Sequence, residues 1–262
     1  MTATAVTVDL SAPTVPFSRV VKVELRKMFD TRSGFWLMIS IAIAALLATI
    51  GVIIFLPDDD FGFEPFGTAI GVPMAVLLPI IAILAVTGEW SQRTGLVTFT
   101  LLPHRAQVIG AKAAAAVTVG VAGMLVAFAI GAVGNVVGSA IAGVDLRWDF
   151  SLADLLKIIL ANVLGLLVGF MLGVLIRNSA GAIVGYFVYG FVLPGIFGFL
   201  AATQDWFERI QPWIDFNFAQ TPLFEDGGPS GEQWAQIGVS GIVWLIIPMA
   251  IGIWAVLRSE VK

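Results

Sequence analysis

The sequence predicts an all-α membrane protein with six transmembrane helices, and three observations carry that prediction. The chain of 262 residues is 58% hydrophobic and only 12% charged, against about 25% charged in a soluble domain. Its apolar residues gather into runs of about twenty or more, each long enough to cross roughly 30 Å of hydrocarbon. The runs are continuous and lack the alternation of a membrane barrel. There is no cysteine, so disulfides and thiolate metal sites are excluded.

Residues 1–16 are small, polar and mixed. They lack the basic start and short apolar core of a signal peptide and read as a disordered cytoplasmic tail. Residues 17–262 read as a single transmembrane domain. Within 17–33, Phe17, Val20, Val21, Leu25, Met28 and Phe29 recur at helical spacing and make one apolar stripe. Arg19, Lys22, Arg26 and Lys27 fill the rest, with Glu24 at the stripe's edge and Arg32 beyond. The pattern predicts an amphipathic helix lying in the cytoplasmic interface; a solvated basic helix leading into the first span is the alternative.

The first span is expected at 34–56, with Trp36 where an aromatic belt falls. An acidic loop follows, with Asp58, Asp59, Asp60 and Glu64. The second span, 68–88, contains Pro73 and Pro79. Proline removes a backbone donor and kinks a helix, and the freed carbonyls need another partner in a membrane. Two prolines suggest a helix beside a pathway, although a purely structural kink reads as well. The third span, 111–142, is longer than one crossing needs, so it tilts or begins in the interface. The fourth, 155–176, carries Gly165, Gly169 and Gly173, a face at spacing four that allows close helix packing. A tight turn at Arg177-Asn178-Ser179 leads to the fifth, 180–202, which Pro194-Gly195 is expected to interrupt. Residues 203–235 mix aromatics with acids and suggest short helices packed at the outer interface. The sixth span is expected at 237–257.

With both termini inside, only Arg147, Lys157 and Arg209 of the 14 Lys and Arg residues lie outside. The positive-inside rule then places residues 89–110 in the cytoplasm and 203–235 outside. The expected location is the plasma (cytoplasmic) membrane, multi-pass.

Several chemistries lack their residues. No Lys follows a Gly, so a G-x-x-x-x-G-K phosphate loop is missing. A zinc site would need His, Cys or carboxylate clusters, and one histidine and no cysteine speak against it. Gly238-Val239-Ser240-Gly241 resembles a rhomboid-type serine motif, but a serine nucleophile needs a neighbouring base. The single histidine, His104, lies in another loop. The spans hold no Asp or Glu at depth, where a proton-coupled carrier would need one. Asn135 and Asn162 are the main polar residues there, suited to bonds between helices or to lining a pathway. The expectation is a non-enzymatic membrane subunit that binds no cofactor, metal or nucleic acid itself. A passive channel or secondary carrier, and less so an intramembrane protease, are the rival readings.

Two segments resemble the membrane-spanning permease subunits of ABC-2-type ABC transporters. One is VVKVELRKMFDTRSGFW, with Glu24, Arg26, Lys27, Arg32 and Trp36, which is similar to the family's connecting helix. The other is GEWSQRTGLVTFTLLPHRAQVIGAK. There the matching positions are Glu89, Thr94-Gly95, Pro103, Arg105 and Lys112. The resemblance implies a type V exporter-like architecture and a dimer with a second copy or a sister permease. It also implies a separate ATPase subunit that holds ATP and Mg and docks on the 89–110 coupling loop. Phe99 and its apolar neighbours would bury surface in that docking. Glu89, Arg93, His104 and Arg105 would fix register through charge-assisted bonds. The cargo it implies is amphipathic: a drug, a peptide or a lipid-like molecule.

Overall fold

The computed structural model describes residues 15–30, 32–91, 105–225 and 227–258. Helices α1 (Phe17–Asp30), α2 (Arg32–Phe55), α3 (Phe63–Ser91), α4 (Arg105–Ala142) and α5 (Leu152–Ile176) come first. Helix α6 (Ser179–Thr203) follows, then α7 (Asp205–Ile214), α8 (Phe216–Ala219) and α9 (Gly231–Arg258). There is no strand among the described residues. Six helices, α2 to α6 and α9, are long and apolar enough to cross a membrane.

These helices start earlier than hydrophobicity alone suggests, because polar caps extend them. Helix α3 begins at Phe63, where Asp149 Oδ1 accepts from the Glu64 N–H at 2.9 Å. That carboxylate satisfies one of the orphan donors of a first turn. Ser151 with Asp154, and Ser230 with Gln233, form reciprocal capping boxes on α5 and α9. Helix α4 is one unbroken helix of 38 residues, about 57 Å at 1.5 Å per residue. Its length beyond one crossing is used in packing against α1, as described below.

Helix α3 is the centre of the bundle, in contact with α2, α4, α5 and α6. Its Phe66, Ile70, Met74 and Leu78 are fully buried. The glycine face of α5 lies on α3. A Cβ on Gly169 would stand 2.6 Å from the Pro79 carbonyl oxygen, and one on Gly173 3.4 Å from Ile83 Cα. Glycine is what lets these two backbones approach so closely. Helices α2, α6 and α9 are the least buried of the six.

The prolines are accommodated by side chains from distant helices. Pro79 has no N–H to give Ala75, and the Tyr186 hydroxyl of α6 donates to the Ala75 carbonyl at 2.7 Å instead. Pro194 does not interrupt α6. A π-helical segment, Val188–Val192, precedes it, and the Leu193 N–H bonds to the Val188 carbonyl, five residues back. In that register the Pro194 nitrogen would serve Tyr189. The Asn217 side-chain amide donates to the Tyr189 carbonyl at 3.2 Å in its place. Helix α9 repeats the device, with a π segment at Ile242–Ile246 just before Pro248. The two π segments touch through Tyr189 and Trp244, ring centroids 5.7 Å apart.

The Tyr186 bond gives a measurable consequence. Tyr186→Phe should cost about 1–2 kcal/mol, the upper range for a hydrogen bond between membrane helices, because no backbone donor can replace the hydroxyl. In a Pro79→Ala background the restored N–H serves Ala75, and the same substitution should cost less than about 0.5 kcal/mol. Reversible unfolding of the four proteins in mixed micelles reads the difference. Equal costs in both backgrounds would show that the hydroxyl does not replace the proline's missing donor.

Candidate functional site

The sequence points to residues 89–112, and what the structure describes there is the frame around them. Arg93, Thr94, Phe99, Pro103 and His104 lie outside the described residues. Glu89 stands in the last turn of α3 and Arg105 opens α4. Arg32 is the first residue of α2. At this end of the bundle the first turns of α4 pack on α1, and Lys112 of α4 also reaches Ala85 of α3, so the site draws on three elements.

Helix α1 turns Val20 and Glu24 inward, both about 95% buried, and packs mainly on α4 and then on α2. Phe17 lies 3.7 Å from the place a Cβ on Gly110 would take. The centre of the apolar stripe is therefore spent on protein rather than on hydrocarbon. Arg19, Lys22, Val23 and Arg26 form the exposed side, with Phe29 half-exposed beside them.

An ion pair lies at the centre of this contact. Lys112 Nζ donates to Glu24 Oε2 at 2.6 Å, and both side chains are 6% exposed. Lys27 Nζ donates to the other oxygen, Oε1, at 2.7 Å from a half-exposed position. The same Lys112 nitrogen also reaches the Ala85 carbonyl of α3 at 3.5 Å. One ammonium thus touches α1 and α3 from α4. The neighbouring Arg26–Asp30 pair at 2.9 Å is largely exposed and is worth about 0–1 kcal/mol. The Glu24–Lys112 pair is different, since both of its side chains are buried and truncating either removes a desolvated partner from the packed contact.

The sequence named both residues without pairing them. Their separation of 88 positions left no local spacing to read. A partial signal existed: Glu24, at the stripe's edge, is four residues from Val20 and from Met28 and so shares their side of the helix. Lys112 is likewise the one charge in a run of alanines.

The same end is joined to the next span. Thr87 of α3 shares a hydrogen bond with Ser179 of α6, Oγ1 to Oγ 2.7 Å. Arg177 takes the left-handed backbone, φ 56°, in the turn before α6, and Asn178 caps that helix through the Gly181 N–H.

The other sequence-selected residues lie elsewhere. Gly165, Gly169 and Gly173 meet Pro79 and the turns after it. Pro73 is within α3, one helical stretch before that contact. Asn135 is fully buried in α4, and its amide donates to the Arg147 carbonyl at 2.8 Å. Arg147 Nε in turn donates to the Phe61 carbonyl at 2.9 Å. With the Asp149 cap and the rings of Phe63, Trp148 and Phe150, this fastens the loops after α2 and α4 together. The Asn162 amide donates within its own helix to Ile158 at 3.0 Å. Ser240 is fully buried and its hydroxyl donates to the Gln236 carbonyl at 2.6 Å, so it is committed to its own helix.

The fold and the site define an all-helical bundle with six helices of membrane-spanning length and a three-helix junction at one end. No known family model matches the chain, and no curated protein matches it.

Proposed function

We propose that the chain is the membrane-spanning subunit of an ATP-driven exporter of the ABC-2 type. Two such subunits, identical or sister copies, form the translocation pathway. A separate ATPase binds at residues 89–112 on the cytoplasmic side, where the distribution of Lys and Arg also places both termini. The cargo is amphipathic: a drug, a peptide or a lipid-like molecule.

The observation that carries this reading is where charge is buried. Among the described residues the buried charged side chains are Glu24, Lys112 and Asp215. The first two pair at the three-helix junction. Asp215 caps α8, accepting from the Asn217 and Phe218 N–H groups. A carrier that runs on an ion gradient places ionisable groups at depth; among the residues whose burial is described, the one Asp, Glu, Lys or Arg buried within a span is Lys112, near the start of α4 and paired with Glu24 of α1. On the reading proposed here, work enters the bundle from outside.

The junction is a suitable place for that entry of work. Residues 92–104 connect the central helix α3 to α4 in sequence, and α3 touches four of the other spans. A force at its end reaches the whole bundle. Nucleotide binding by the partner would favour one arrangement of the spans through its differential affinity for the two states.

The test is purification of the tagged chain from its native membranes, followed by reconstitution in nanodiscs with the ATPase that accompanies it. The expected result is a stable complex whose ATP hydrolysis changes on addition of amphipathic compounds. A passive channel would instead give flux that ignores nucleotide and a chain that retains no ATPase.

A further inference from the structure

We propose that Arg177 anchors the turn between α5 and α6 to anionic phospholipid headgroups, and that it occupies a backbone position better suited to glycine for that reason. The anchor does not depend on the exporter reading. Only the side of the membrane on which it acts rests on the orientation given there.

Three observations converge on this residue. The first is its backbone. Two residues, Arg177 and Asn178, join α5 to α6. Arg177 ends α5 at φ 56° and ψ 22°, and it is the one non-glycine residue with positive φ among the described residues. Helices commonly end in this left-handed conformation, and glycine is the usual residue there because a Cβ is disfavoured. The turn itself makes no use of the guanidinium. Its hydrogen bonds run from the Arg177 N–H to the Gly173 carbonyl at 3.0 Å and from the Gly181 N–H to Asn178 Oδ1 at 2.9 Å. The side chain is half-exposed.

The second observation is charge. Arg177 is the only base between Lys157 and Arg209, so it is the single cationic group at this end of the α5–α6 hairpin. The third is the helix that follows. Of the six long helices, α6 is the least apolar and the least buried. Its place is therefore fixed less by hydrocarbon and by protein contacts than that of the others. A cation at its first turn adds attraction to an anionic membrane surface. The guanidinium fits a phosphate with two parallel N–H donors. A glycine in the turn would relieve the backbone and forfeit that attraction.

A rival role for the charge is favourable interaction with the C-terminal end of the α5 dipole, and the test separates the two. The parent, Arg177→Lys, Arg177→Gln and Arg177→Gly are melted in nanodiscs of phosphatidylcholine and of phosphatidylglycerol. Arg177→Gly should melt above Arg177→Gln in both lipids, because it removes the Cβ from the left-handed position. The change to phosphatidylglycerol should raise the melting temperature of the parent and of Arg177→Lys by about 2–4 °C more than that of the two neutral variants. Equal gains in all four proteins, the result if the charge meets only the helix dipole, would overturn the anchor. Arg177→Gly no more stable than Arg177→Gln would overturn the claim that the position favours glycine. Orientation is read separately in this cysteine-free chain. Ala180→Cys, exposed two residues after the turn, should be labelled in cells only by a reagent that enters the cytoplasm. Labelling by an impermeant reagent from outside would refute the orientation and leave the lipid response standing.

Discussion

Gly169→Leu is expected to abolish the folded bundle. The Cβ alone would come 2.6 Å from the Pro79 carbonyl oxygen and 2.8 Å from Pro79 Cα. Those atoms belong to backbone, so no rotamer change can clear them. Overpacking of this kind costs about 1–3 kcal/mol where side chains can shift, and here two helices must separate. Removing a glycine from a helix interior returns only about 1 kcal/mol, so the clash decides the sign. Gly169→Ala should already lower the melting temperature, and the leucine should leave no monodisperse species in detergent. Gly51→Leu is the control, because nothing lies within 4 Å of that position. Equal melting temperatures for Gly169→Leu and the parent would mean that α3 and α5 can part without loss.

The contrast between these two glycines marks what the sequence disclosed. A spacing of four on one helix is a local pattern, and Gly165, Gly169 and Gly173 display it without knowledge of a partner. The partner was not legible. Pro79 of α3 meets Gly169 and frees the Ala75 carbonyl, which accepts from Tyr186, and none of these pairings has a fixed spacing. Pro194 shows the opposite failure. A local rule foresaw a break in α6, yet the helix continues through a π segment with Asn217 supplying the missing donor. Local steric rules say that a carbonyl is freed; only the tertiary structure says who takes it.

The six long helices were legible because a run of apolar residues depends on composition alone. Their starts at Phe63 and Gly231 were not, since the caps are polar and one of them, Asp149, comes from another loop. At the junction the stripe of α1 was visible but its destination was open. An amphipathic helix can turn its apolar side to lipid or to protein with the same residues. The structure turns Val20 and Glu24 of α1 toward α4, and the buried carboxylate is what distinguishes the two cases, because hydrocarbon offers no lysine.

The second large effect concerns residues 89 and 105. On the exporter reading proposed above, replacing both by alanine, Glu89→Ala with Arg105→Ala, is expected to detach or uncouple the proposed ATPase while leaving the bundle intact. Glu89 stands in the last turn of α3 and Arg105 is the first residue of α4, so neither substitution interrupts a helix. Alanine has the highest helix propensity, which favours both ends. The fold should therefore retain the parent's melting temperature. A hydrogen bond to a charged group contributes about 1.5–3 kcal/mol. Two such bonds lost at a docking surface would weaken binding roughly a hundredfold or more, at about 1.4 kcal/mol per factor of ten. The measurement is retention of the ATPase during purification and the response of its ATP hydrolysis to amphipathic compounds. Reduced retention, or hydrolysis that no longer responds, is the expected result. Full retention with an unchanged response would remove these two residues from the docking surface.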